Sequence, residues 1–97
     1  MQAKIHNFNG WIAETRPDYL MGKYRGLLKA AGFTVLHECT HFFKPYGFTA
    51  LFLLGESHFA IHTFPEHSKT YIELSSCIEA PFYKFLEMCA GDTISEE

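Results

Sequence analysis

Ser57, His58, His62 and Cys77 fall within one short stretch, GESHFAIHTFPEHSKTYIELSSC, which runs from Gly55 to Cys77. These side chains supply a nucleophilic hydroxyl, a thiol and two imidazoles, the parts from which acyl-transfer and elimination chemistry are built. Two β-compatible runs flank a turn at residues 65–69, centred on His67. A hairpin turning there pairs Phe64 with Thr70, His62 with Ile72 and Ser57 with Cys77. Hydroxyl and thiol then share the open end, with His58 beside it and His62 five residues along. The plain alternative is structural. Ser and Cys commonly fill small spaces in strands, and free Cys is among the most buried residue types.

The elements around this hairpin read as a β-α-β-β-β-α unit. Residues 10–15 (GWIAET) suit a strand that Arg16 and Pro17 stop. Pro17 and Asp18 then open a helix. Leu20, Tyr24, Leu27, Leu28 and Ala31 recur on one helical face, and Gly32 ends it. Gly22 and Gly26 cost the helix about 1 kcal/mol each relative to Ala, and their spacing offers a close approach to a sheet. Residues 33–43 form a long strand candidate, and Pro45 and Gly47 mark a turn. Residues 48–54 (FTALFLL) are so apolar that the strand should be buried on both faces. We expect it to continue past Gly55 as one interrupted strand to Phe64. A strand at 70–76 and a helix at 80–90, with Phe82, Phe85, Leu86 and Cys89 along one side, complete the unit; residues 91–97 are polar and expected to fray. Four strands and two helices make an α+β two-layer sandwich with a mainly antiparallel sheet.

Composition narrows the function classes. Ninety-seven residues make a single domain, 1–97. A domain of this size buries only roughly 60–65% of the surface its unfolded chain exposes. Yet 47% of the residues are apolar, with ten Phe, five Tyr and one Trp. That excess suggests burial against a second subunit. The eight Lys and Arg are scattered and the net charge is −3, so the electrostatic footprint of a nucleic-acid binder is missing. No apolar run is long enough for a membrane span. The first nine residues lack an apolar signal core, and three Cys at irregular spacing do not read as a disulfide framework, so a cytoplasmic protein is expected. His37, Cys39 and His41 alternate onto one strand face, but zinc sites more often use Cys pairs, and we assign no metal. Glu73 and Glu79 read as surface charges, Cys39 and Cys89 as buried thiols.

The run LLGESHFAIHTFPE, Leu53 to Glu66, resembles the processing-site motif of the prokaryotic S-adenosylmethionine decarboxylase family. The likeness is ungapped, extends to Cys77, and reaches upstream through HFFKPYGFTALFLL. It implies that the Ser57 hydroxyl attacks the Glu56 carbonyl and that the chain parts into a β chain, 1–56, and an α chain, 57–97. The α chain would begin with a covalent pyruvoyl group derived from Ser57. That group would condense with the amine of S-adenosylmethionine as a Schiff base and take up the electrons left by CO2. By the same likeness, Cys77 is the acid that returns a proton, His62 assists elimination, and Thr49 supplies a hydroxyl that helps processing. Glu66 would hold the ribose hydroxyls and Phe43 would lie near the adenine. Polyamine (spermidine) biosynthesis and a homodimer with active sites near the subunit interface are also implied. Asn9-Gly10-Trp11 replaces the family's usual Gly-Arg-His, and Ile78 follows Cys77 where Gly is usual. These changes touch substrate binding more than processing. A decarboxylase of another amino acid, such as arginine or ornithine, and an unprocessed, non-catalytic paralogue that binds a metabolite or partner both stay open.

Overall fold

The computed structural model describes residues 4–94. Strand β1 (His6–Ile12) leads to helix α1 (Pro17–Ala31), then β2 (Val35–Phe42), β3 (Phe48–Leu54) and β4 (Ser57–Phe64). A 3-10 turn (Pro65–His67), β5 (Lys69–Ser76), α2 (Glu79–Cys89) and the short β6 (Thr93–Ile94) follow. All six strands join one sheet in the order β2-β3-β4-β5-β1-β6, and every pair is antiparallel. Both helices lie on one side of it. The two-layer α+β architecture is the expected one, with more strands than the sequence suggested.

The ends of α1 follow local chemistry. Pro17 occupies the first turn, where its missing N–H costs nothing, and Asp18 complements the positive end of the helix dipole. Gly32 takes the left-handed conformation (φ 112°) and Phe33 N–H bonds Leu28 O at 2.9 Å, closing the last turn. Leu20, Tyr24, Leu28 and Ala31 are buried as the periodicity required. They meet Phe48, Ala50, Phe52 and Leu54 of β3, Phe59 and Ile61 of β4, Ile72 and Leu74 of β5, and Phe82, Phe85 and Cys89 of α2. Tyr24 stacks on Phe59 at 5.2 Å between ring centres, and Phe59 meets Phe85 edge-on at 5.4 Å. Removing a ring from this cluster costs about 3–5 kcal/mol. Arg25 of α1 forks onto Glu38 of β2 at 2.6 and 2.7 Å, tying the edge strand to the helix; that hydrogen-bonded cation holds the Glu38 carboxyl below its ordinary pKa.

Four expectations change. The chain does not run through Gly55 as one strand. It reverses there in a two-residue turn, and Leu54 pairs directly with Ser57. Glu56 supplies the reversal, with φ 59°, while Gly55 is not in the left-handed region. Strand β3 is buried on one face only; Leu51 and Leu53 are 47% and 54% exposed on the other, because both helices cover the opposite side. The first strand begins at His6 rather than Gly10, since its span is set by pairing with β5, from His6–Ser76 to Ile12–Thr70. Residues 93–94 do not fray but pair with β1; residues 95–97 lie outside the described residues.

Gly22 and Gly26 do not serve close packing, because a Cβ added at either would meet nothing within 4 Å. Gly22→Ala and Gly26→Ala should therefore each stabilise the fold by about 0.5–1 kcal/mol through helix propensity alone. Urea titrations would measure the gain, and a loss at either position would show that the glycine has a contact role.

Candidate active site

The two-residue turn at Gly55–Glu56 places the peptide before Ser57 at one end of the sheet. Glu56 is held in the left-handed region, which costs a residue with a Cβ of the order of 1–2 kcal/mol. Its carbonyl oxygen accepts the Cys77 N–H at 3.1 Å. Ser57 pairs laterally with Leu54 and Ser76, both buried, and so points to the helix side of the sheet. Its hydroxyl donates to Ser76 Oγ at 2.7 Å.

This register departs from the expected one by a single residue. Ser57 stands opposite Ser76, not Cys77; His62 opposite Tyr71, not Ile72; Phe64 opposite Lys69, not Thr70. The physical reason is the loop. Pro65 to His67 form a tight 3-10 turn, Ser68 takes a left-handed conformation (φ 55°), and Lys69 already belongs to β5. Four connecting residues replace five, and each partner moves by one. Cys77 lies past the end of β5 and is exposed. Ser76 was missed by sequence reasoning, and only the loop length could have revealed it.

A second group forms at the other end of the sheet. Phe43, Thr49, His62 and Glu66, four residues singled out from the sequence, line one cavity of about 250 Å3 with Tyr46 and Phe64. Its turn is set by Gly47 (φ 114°), whose carbonyl accepts Phe43 N–H at 2.8 Å. Thr49 Oγ1 and His62 Nδ1 are 2.9 Å apart, which orients the imidazole and links the two roles of its nitrogens. Tyr71 lies beside His62, ring centres 6.2 Å apart, and donates its hydroxyl to Glu73 at 2.8 Å. Trp11 packs on Phe64 and Tyr71, with Lys69 Nζ 4.5 Å from its ring centre. Tyr46 was not anticipated; an aromatic in a Pro-Gly turn carries no sequence signal of its own.

The structure thus divides the expected site. Glu56, Ser57 and Cys77 lie at the turn end, and Phe43, Thr49, His62 and Glu66 at the cavity end. His62 lies five residue steps along the extended strand from Ser57, about 16 Å at ~3.3 Å per step, and the two side chains project from opposite faces. His37, Cys39 and His41 lie on β2 opposite Leu53, Leu51 and Thr49. Among the described residues no three or more His, Cys, Asp or Glu side chains group as a metal site. Cys39 is exposed rather than buried.

The fold is that of a known class: the chain superposes on the adenosylmethionine decarboxylase of Aquifex aeolicus with a TM-score of 0.73 and 21% identity, over 96% of this chain and 92% of that one. The family model of S-adenosylmethionine decarboxylase matches residues 15–92, and the chain belongs to that family. Among curated relatives, the S-adenosylmethionine decarboxylase proenzyme of Prochlorococcus marinus (strain MIT 9313) is 47% identical over 49 residues, half of this chain and 39% of that protein. The proenzyme of Persephonella marina is 44% identical over 52 residues, 54% of this chain and 39% of its own length. That of Clostridium botulinum (strain Loch Maree / Type A3) is 32% identical over 60 residues, 62% of this chain and 52% of its own. The matched stretch thus spans two-fifths to half the length of these relatives.

The three thiols differ in reach. Cys77 is exposed, whereas Cys89 is 1% exposed and burial pushes its pKa up. In native protein, iodoacetamide should therefore alkylate Cys77 at least about tenfold faster than Cys89, with the difference vanishing in denaturant. Peptide mass spectrometry reads both rates; equal native rates would contradict the placement of α2.

Proposed function

We propose that this chain is a proenzyme that cuts itself between Glu56 and Ser57 and then decarboxylates S-adenosylmethionine. The observation that carries this reading is the turn. The family's scissile bond falls on a strained, non-glycine left-handed residue whose carbonyl accepts one backbone N–H, next to an oriented hydroxyl. An attack within the chain needs no second reactant, so placement supplies most of the entropic cost of bringing the groups together. Ser57 Oγ bonds to the Glu56 carbonyl carbon, the bond from that carbon to the Ser57 nitrogen breaks, and the proton passes to nitrogen. The Cys77 N–H stabilises the charge that develops on the carbonyl oxygen. His62 assists elimination of the resulting ester, with Thr49 orienting its ring. The residues fit a pyruvoyl group at position 57, a hydroxyl in a strained turn being what its formation requires; once formed, that group supplies an electron sink for decarboxylation. Cys77 Sγ lies at the same end of the sheet to return a proton. At the cavity end, the Glu66 carboxylate accepts hydrogen bonds from ribose hydroxyls and the Phe43 ring packs on adenine. Residues 1–97 act as one domain in this reading, its pathway is polyamine (spermidine) synthesis, and its compartment is the cytoplasm.

The separation of the two groups supports a homodimer. One chain keeps Ser57 and Cys77 about 16 Å from His62, too far for direct proton transfer. The open face, with Leu51 and Leu53 exposed, is the surface a second copy would cover. A two-fold axis lying between two open faces and running across the strands reverses strand direction. It therefore brings the turn end of each copy over the cavity end of the other. Each active site would then form at the turn end of one chain, with Thr49, His62, Glu66 and Phe43 of its partner brought to the edge of the sheet at which the Glu56–Ser57 bond lies; the Ser57 hydroxyl, on the helix side, would be reached around that edge.

Intact-protein mass spectrometry tests the first claim. Wild type should yield fragments 1–56 and 57–97, the latter lighter by ammonia and reactive toward a hydrazide, while Ser57→Ala stays whole. A wild-type chain that stays whole would make this a non-catalytic member of the family. Turnover of arginine or ornithine in place of S-adenosylmethionine would redirect the substrate assignment.

Co-expression tests the second. Ser57→Ala and His62→Ala chains should each remain largely uncut alone. Made together, the His62→Ala chain alone should be cut, because it keeps its own Ser57 and borrows His62 from its partner. A mixture no more cleaved than its parts would remove the shared site.

A further inference from the structure

Ser76 is the residue that the turn-end geometry singles out and that no comparison assigns. It is 1% exposed, at the last position of β5. Its hydroxyl makes three hydrogen bonds. It accepts Ile78 N–H at 2.9 Å, donates to Ile78 O at 3.1 Å and accepts the Ser57 hydroxyl at 2.7 Å. A hydroxyl has one proton and two acceptor sites, so Ser76 is saturated. With its own proton committed to Ile78 O, it can offer Ser57 only a lone pair. The Ser57 proton is thereby drawn toward Ser76, and the Ser57 oxygen keeps lone pairs for attack. Exposed serine hydroxyls rotate freely; this one is fixed by a partner that is itself fixed by backbone.

We propose that Ser76 is the positioning residue of the self-cleavage step, holding the Ser57 hydroxyl in the rotamer from which it attacks Glu56. The proposal rests on the self-cleaving reading above. Ser76 gains and loses no atom: the new bond joins Ser57 Oγ to the Glu56 carbonyl carbon, the bond from that carbon to the Ser57 nitrogen breaks, and the hydroxyl proton ends on that nitrogen. Together with Cys77 N–H, which holds the Glu56 carbonyl oxygen at 3.1 Å, Ser76 makes the end of β5 a jig for both reacting groups. The alternative role is purely structural. Ser76 also satisfies Ile78, the residue that opens α2. Losing that role would lower stability without changing the cleavage rate of molecules that are folded.

The experiment compares Ser76→Ala, Ser76→Val and Ser76→Thr in the full chain. Thr and Val share a shape and differ in the hydroxyl. Cleavage is followed by mass spectrometry, and rates are taken per folded molecule from thermal melts of each variant. Ser76→Ala and Ser76→Val should cut about tenfold slower or worse, a cost typical of a misplaced reacting group. Ser76→Thr should cut near the wild-type rate. Hydroxylamine, which severs an ester once formed, should not restore Ser76→Ala, because the delay precedes the ester. Val and Thr variants of equal rate, or full recovery of Ser76→Ala by hydroxylamine, would overturn the proposal. An uncut wild type would instead remove the underlying reading, so the two failures are told apart.

Discussion

The register of the β4–β5 ladder decides what meets the Ser57 hydroxyl, and the rest of the site follows from it. A strand's side chains alternate between faces, so one residue of slip exchanges every neighbour. With four connecting residues at positions 65–68, Ser57 faces Ser76 on the helix side, and the next backbone N–H, that of Cys77, falls on the Glu56 carbonyl. The same ladder carries His62 to Tyr71 on the open side and leaves its ring within reach of Thr49 across β3.

Much of the frame was legible because it rests on local chemistry. Helix α1 is bounded by Pro17 and Gly32 and filled by a regular apolar face, and it forms where those signals put it. The cavity residues Phe43, Thr49, His62 and Glu66 were named from a motif, and they converge. What was not legible depended on single dihedral angles. Gly55-Glu56 is not one of the dipeptides that announce a tight hairpin, and the apolar residues on both sides concealed the reversal. The loop after Phe64 looked one residue longer than it is because Lys69, a charged residue next to a turn, gives no sign of belonging to a strand. That residue cost the correct partner of Ser57.

Apolar character in β3 also misled, for a reason that bears on function. Leu51 and Leu53 would ordinarily mean a strand covered on both sides, yet the helices cover only one. In the homodimer proposed above, a second copy would cover the other face, and the apolar pattern of β3 would describe the surroundings of the pair. The same proposal accounts for the division of the expected site residues between the two ends of the sheet. An apolar face without a cover and a set of site residues without their complement are two signs of one geometry.

The cut at Glu56–Ser57 would fall at the tip of a hairpin whose two arms are already laterally bonded over seven pairs. The resulting segments do not lie side by side. The first contributes β1, β2 and β3, the second β4, β5 and β6, and in the sheet β1 sits between β5 and β6. The pieces are therefore interleaved like the fingers of clasped hands. Severing the tip would create two new chain ends while the ladders on both sides of β4 and of β1 hold. Once unfolded, however, two separate strands of polypeptide would have to find each other, a search the uncut chain never faces. For the proposed cut, assembly would thus be easy before the break and hard after it, so the topology favours folding first and scission second.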